Sequence, residues 1–200
     1  MAITMETLSG PALSAVIPAL SRLRLTVFRE WPYLYDGDAE YEAGYLATFA
    51  NHPDGVIVAA RDGDTIVGAA TAAPLAGHTD EFVPLFESHG YDPEAIFYCG
   101  ESVLLPDYRG QGIGHAFFDP REAHARALNT RGYRFTHATF CGVVRANDDP
   151  RKPAGYRPLD DFWRKRKYET VPGLVGHYAW REIGHAEETR KVMQFWLKAL

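Results

Sequence analysis

The sequence predicts an α/β protein in which helices flank a mixed sheet, and three observations carry that prediction. Leu13, Val16, Ile17, Leu20, Leu23 and Val27 recur at helical spacing. The β-rich runs Val56 to Ala60 and Thr65 to Ala70 flank Asp62-Gly63-Asp64, a hairpin turn signal. A strand from Ile96 to Leu105 meets Pro106 and passes through a glycine-rich turn into a helix. With 200 residues the chain can bury one real core and is too short for two ordinary domains.

The remaining elements follow in chain order. Ile3 to Leu8 reads as an edge strand. Pro18 fits best in the first turn of the first helix, which places the regular part of that helix after it. Trp31 to Asp38 is an aromatic loop, and Asp38 caps a second helix ending near Ala50. Thr79 opens a short helix that His89-Gly90 closes. The helix after Gly112 meets Pro120, where Asp119-Pro120-Arg121-Glu122 resembles a fresh capping box, so it is either kinked or divided. Phe135 to Val144 is a strand, Asp148 to Pro158 a proline-rich loop, and Leu159 to Lys167 a short helix. Tyr168 to Val171 and His177 to Ile183 complete the strands, about six to seven in all. The division read from this order is a domain over 1–183 and a C-terminal tail over 184–200, polar at first and ending in Phe195-Trp196-Leu197.

Bulk properties exclude several classes. A net charge of -5 gives no electrostatic reason to expect nucleic acid. The basic run Arg164 to Lys167 is local and reads as a solvated helix end. No run of 18 apolar residues exists, so no membrane partner is expected. Cys99 and Cys141 lie in strand-like stretches and read as buried thiols, which with a Met1 to Gly10 segment that has no basic start and no continuous apolar stretch points to a cytoplasmic protein. The eight histidines show no His-Glu-x-x-His pattern, and His137 with Cys141 lacks two further ligands, so no metal is expected.

The most informative segment is Tyr108-Arg109-Gly110-Gln111-Gly112-Ile113-Gly114. A glycine-rich turn ahead of a helix lets several backbone N–H groups converge on one anion, and the helix dipole adds to them. Gly110, Gly112 and Gly114 carry no Cβ, and Arg109 adds charge, so the turn reads as a pyrophosphate cradle. The spacing is not the dinucleotide G-x-G-x-x-G, because His115 occupies the third position, and the Gly-Lys-Ser/Thr of a Walker loop is absent.

The spacing Arg109-x-x-Gly112-x-Gly114, after Val103-Leu104-Leu105-Pro106-Asp107-Tyr108, closely resembles the acyl-CoA motif of the GNAT superfamily of N-acetyltransferases. The element order resembles the superfamily from about Ile3 to about Ile183. The resemblance implies a mostly antiparallel central sheet, acetyl-CoA as co-substrate and transfer to an amine. It implies that backbone groups of Ser102, Val103 and Leu104 hydrogen-bond the pantetheine arm as an added strand would. It also implies that the amides of Arg109, Gly110, Gln111, Gly112, Ile113 and Gly114 hold the pyrophosphate.

Glu101, a carboxylate in an apolar strand just before that segment, is the candidate base. The alternative is an ion pair with an arginine such as Arg29 or Arg145. Superfamily members often carry a tyrosine acid in a Phe-Tyr-x-Lys-x-Gly-Phe pattern. Here Trp163 stands at the tyrosine and Lys167 at the glycine, and an indole N–H cannot act as an acid. Tyr156, Tyr168 or departure of the thiolate without an acid are the remaining options. Asn147 matches a cofactor-contacting asparagine only weakly, because the proline-rich loop separates it from the helix. The acceptor is expected among Arg29, Trp31 and Tyr33, with Glu30 or Asp36 attracting a cationic amine. The implied partners are a small-molecule amine or peptide acceptor and, through the apolar tail, either the chain's own domain or a second subunit in a homodimer.

Overall fold

The computed structural model describes residues 2–50, 52–77 and 80–200. Among these residues eight strands form one sheet: β1 (Thr4–Ser9), β2 (Val56–Asp62), β3 (Thr65–Pro74), β4 (Ile96–Tyr98), β5 (Ser102–Leu104), β6 (His137–Val143), β7 (Glu169–Arg181) and β8 (Glu188–Ala199). Their order is β1-β2-β3-β4-β6-β8-β7, with β5 also on β3. Among the described residues only β4 and β6 pair in parallel, so the sheet is mixed, as the element order predicts, and mostly antiparallel, as the resemblance implies. Six helices flank it: α1 (Leu13–Val27), α2 (Ala39–Ala50), α3 (Val83–Ser88), α4 (Ile113–Ala116), α5 (Phe118–Asn129) and α6 (Asp160–Lys165).

Both faces of the sheet are covered, which is why β2 is buried over five consecutive residues. Ile57, Ala69 and Val103 face α1, whose Leu13, Val16, Leu20 and Leu23 form the matching stripe. Val56 on the opposite face packs with Phe118, Ala125 and Leu128 of α5. Asp38 caps α2 as expected, its carboxylate accepting from the amides of Glu40 and Tyr41. Pro18 departs from expectation: it lies inside α1 rather than in its first turn, and the helix starts at Leu13. Thr79, the expected opener of the short helix, lies outside the described residues. Pro120 falls in the first turn of α5, where its missing N–H costs nothing, and the helical stretch divides at Phe117.

Three strand readings change. The strand expected over Ile96 to Leu105 is broken into β4 and β5. Three steps along β3, from Ala73 to Ala70, are matched by four along its partner, from Tyr98 to Ser102. The extra residue makes a β-bulge, with Thr71 facing both Gly100 and Glu101. Gly100 N donates to Thr71 O at 3.2 Å, and Thr71 N donates to Glu101 O at 3.0 Å. The two late strands join into the single β7, across a register break between Thr170 and Val175 where Pro172-Gly173 hid the continuity. The tail over 184–200 is largely β8, inserted between β6 and β7, with Met193, Phe195, Trp196 and Leu197 buried. Its charged approach, Glu187 to Arg190, is exposed at the hairpin end and masked the strand pattern in the sequence.

α6 ends in a Schellman arrangement: Tyr168 N donates to Trp163 O at 3.1 Å and Lys167 N to Arg164 O at 2.8 Å. Lys167 holds φ 66°, the left-handed conformation that suits glycine. Lys167→Gly should therefore stabilise the protein by about 0.5–1 kcal/mol in denaturant unfolding. A loss of stability would mean that the lysine side chain contributes more than its backbone strain costs.

Candidate active site

The bulge separates β5 from β6. Pairing between β4 and β6 runs only as far as Tyr98↔Thr139, and a last bond joins Cys99 N to Thr139 O at 2.7 Å. Beyond it, β5 stays on β3 while β6 continues with β8, and a wedge opens between them. Glu101 O and Leu105 N bond toward β3. By strand alternation the polar backbone groups of Ser102 and Leu104 therefore face the wedge, whereas those of Val103 face β3. This edge can take an extended, amide-bearing chain. Arg109 Nε already donates to Leu104 O at 3.1 Å.

The glycine turn stands at the far end of β5. Gly110 and Gly112 hold φ of 77° and 84°, with open space where a Cβ would stand. Arg109 N bonds Pro106 O within the turn at 3.0 Å. The five following amides, Gly110 through Gly114, have no hydrogen-bond partner among the described residues. A run of unpaired donors at a helix start fits a pyrophosphate, as the residue types imply. The Arg109 guanidinium pairs with Glu30 at 2.8 Å, tying the turn to the loop after α1.

Glu101 is 7% exposed and sits at the bulge in a buried ion network. Arg24 of α1 pairs with both Glu101 and Glu42 of α2. Thr71 Oγ1 donates to the second Glu101 oxygen at 2.9 Å. The ion pair thus exists, but with Arg24 rather than Arg29 or Arg145. Burial works against the Arg24 charge, and the carboxylates of Glu101 and Glu42 more than restore it. Behind the bulge lies Arg121 of α5, 1% exposed. It donates to Phe117 O at 3.0 Å, Thr71 O at 3.2 Å and Glu101 O at 3.3 Å. No carboxylate pairs with it among the described residues, so three carbonyls and the Phe118 ring, 4.9 Å away, carry its charge.

On the α1 side of the wedge a cavity of about 120 Å³ opens beside Gly100, Glu101 and Cys141. Its walls are mostly aromatic: Phe28, Tyr33 and Tyr35 from the first loop, Tyr45 from α2, Tyr98 from β4, and Tyr178 and Trp180 from β7. Burial raises the pKa of Tyr33, Tyr45, Tyr98 and Tyr178, and pushes the Cys141 thiol up to about 12. All therefore stay neutral at physiological pH.

The sequence matches the model of the acetyltransferase (GNAT) family over residues 20–149. The chain belongs to the GNAT acetyltransferase family. Solved structures share the fold at low identity. A ribosomal-protein-alanine N-acetyltransferase from Brucella melitensis aligns at TM-score 0.62 and 13% identity, covering 98% of this chain and 99% of the other. Arabidopsis thaliana NAA60, solved with a bisubstrate analogue, aligns at 0.59 and 14%, covering 98% and 99%. The Salmonella typhimurium yncA protein, solved with its cofactor acetyl-CoA, aligns at 0.58 and 9%, covering 100% and 95%. Among curated proteins no relative matches the sequence.

Within the GNAT frame the expected residues fall into place unevenly. Glu101, Ser102, Leu104 and the turn line one continuous path from cavity to cradle. Tyr33 lines the cavity, but Arg29 is exposed and paired with Asp36 at 3.1 Å, and Trp31 packs edge-on against Tyr156. Trp163 lies on Gly142, Phe140 and Trp196, where the absent Cβ of Gly142 makes room for its ring. Tyr168 is buried and bonds Glu122 at 3.2 Å, outside the wedge. Asn147 is exposed just before the proline-rich loop. Sequence reasoning missed Arg24, Glu42 and Arg121. A signal existed for two of them: Arg24 follows Leu20 by four residues on the apolar stripe, and Arg121 follows Phe117 likewise. A charge on a buried helix face needs a partner, and that need marks the site.

Gly112→Val tests the cradle. Coenzyme A at a hundredfold excess over Kd should stabilise the wild type by about 2.7 kcal/mol, read as a melting-temperature rise. The variant should lose that rise, because a β-branched residue at φ 84° is strained and its side chain stands in front of the free amides. An undiminished rise in the variant would place the pyrophosphate elsewhere.

Proposed function

We propose that this chain binds acetyl-CoA and transfers the acetyl group to a primary amine by direct attack on the thioester, so that the amide C–N bond forms, the C–S bond breaks and coenzyme A leaves as the thiol. The observation that carries this reading is the bulge itself, which sets the Glu101 carboxylate at the mouth of the wedge between β5 and β6, with the cavity on one side and the free amide cradle on the other. When bound, acetyl-CoA supplies an acetyl group activated as a thioester.

The residues divide the remaining work. The amides of Gly110 to Gly114 hold the pyrophosphate, and the backbone edge of Ser102 and Leu104 orients the pantetheine arm. The Ser102 N–H faces the wedge and donates to negative charge developing on the acetyl oxygen. That peptide is polarised from behind, since its carbonyl, Glu101 O, accepts from both Thr71 N and Arg121. Glu101 holds the incoming amine and takes its proton, while Arg24 and Thr71 fix the carboxylate. Placing amine and thioester side by side supplies much of the rate. The acceptor is a small-molecule amine or a peptide.

A second reading, a non-catalytic acyl-CoA-binding module, draws on the packed Trp163 at the family's tyrosine position and on the Arg24 pairing of Glu101. One experiment separates the two. Thiol release from acetyl-CoA should rise with a member of a broad amine library. Glu101→Gln should then keep coenzyme A binding and lower turnover by about 10²–10⁴-fold. Thiol release by no amine would favour the binding module. Equal turnover by the variant at every pH would leave Glu101 a purely structural partner of Arg24.

A further inference from the structure

The acceptor's chemistry can be read from the cavity beside Glu101. We propose that this cavity takes a cationic primary amine on a small aromatic body without a carboxylate, an arylalkylamine. The inference rests on the acetyl-transfer reading and names its acceptor.

The walls set the body of the ligand. Tyrosine, tryptophan and phenylalanine rings surround the space, and no aliphatic side chain except Met193 and Ala179 lines it. Apolar cavities of about 150 Å³ accept a benzene ring. The volume here, about 120 Å³, is somewhat smaller, so it suits a short chain at the inner end with one ring reaching into the open mouth.

The charges set the head group. With the tyrosines and Cys141 neutral, the charged groups at the inner end are Arg24, Glu42 and Glu101. Arg24 gives Nε and one amino group to Glu42 and its other amino group to Glu101, so its charge is shared between two carboxylates, and the three together carry one net negative charge. Glu81 and Glu188 act on the rim tyrosines Tyr178 and Tyr41 and add to the same sign. Two further cations lie behind the walls. Lys191, 4.9 Å from the Trp180 ring, bonds Trp180 O and Thr189 and pairs with Glu182 at 3.5 Å. Arg145 bonds the carbonyls of Pro32 and Tyr33 and pairs with Glu182 at 2.6 Å. Arg24, Lys191 and Arg145 are thus each committed to oxygens of the protein. An ammonium entering beside Glu101 meets carboxylate and aromatic faces, whereas a ligand carboxylate finds tyrosine hydroxyls but no uncommitted cation, and an excess of like charge.

The test uses the full-length wild-type protein loaded with coenzyme A or acetyl-CoA. Three matched ligands are compared: phenethylamine, phenylalanine and phenylethanol. Calorimetry on the coenzyme A complex reads binding without turnover. Phenethylamine should bind at least about tenfold more tightly than phenylethanol, and phenylalanine should bind at least about a hundredfold more weakly than phenethylamine. In thiol release, kcat/KM should favour phenethylamine over phenylalanine, spermidine and a short peptide with a free N-terminus. Glu42→Gln should weaken phenethylamine about tenfold and leave phenylethanol unchanged. Should that variant fail to fold, the wild-type comparison of amine with alcohol reads the same charge effect. Equal binding of alcohol and amine, or better turnover of the amino acid, polyamine or peptide, overturns the inference and leaves acetyl transfer standing. Selective phenethylamine binding without thiol release from any amine upholds the cavity's ligand and instead removes the transfer reading.

Discussion

One extra residue in a strand organises this molecule. Because Thr71 faces both Gly100 and Glu101, the strand bends away from β6, and β5 leaves the plane that β4 had entered. Gly100 is required there, since a Cβ would stand 2.8 Å from Thr71 Oγ1. The bulge is held from two sides. Arg121 bonds its carbonyls from the α5 side, and Arg24 with Thr71 holds the Glu101 side chain from the α1 side. Both arginines are buried, and burying charge is costly unless the geometry compensates it. That the fold places two such groups at one bulge marks where precise backbone placement matters most.

The same feature couples the two halves of the site. α4 and then α5 follow the glycine turn, so Arg121 links the cradle to the bulge through the two helical segments that begin there. α1 leads into the aromatic loop, and Glu30 just beyond it pairs with Arg109 on the turn. Cavity, wedge and cradle are therefore set by α1, α5 and β3 together. β8 supports the far wall: it pairs with β6 and β7, and its buried Met193 reaches the cavity. The C-terminal residues belong to this framework as a strand.

Sequence patterns revealed the parts that depend on local rules. The apolar stripe of α1, the Asp-Gly-Asp hairpin and the glycine spacing each follow from backbone geometry within a few residues. What stayed hidden depends on contacts between distant segments. The bulge is invisible in Ile96 to Leu105 because that run reads as one apolar strand, and only pairing with β3 shows the slipped register. β8 was obscured by its charged hairpin end, and β7 by Pro172-Gly173. In the site, Glu101 was legible as an anomalous charge. Its partner Arg24 lies 77 positions away, and the cavity gathers aromatics from four separate segments. The resemblance sets Trp163 at the family's tyrosine position, but nothing local in the sequence shows its packing against Gly142.

The account's central claim is that the wedge opened by the bulge is where co-substrate and acceptor meet. A crystal structure of the protein with coenzyme A and an amine bound tests it most directly. The predicted result places the pyrophosphate on the amides of Gly110 to Gly114, the pantetheine arm along Ser102 and Leu104, and the amine nitrogen in the aromatic cavity beside Glu101. Coenzyme A bound away from the glycine turn, or an amine seated outside the cavity with Glu101 untouched, would contradict it.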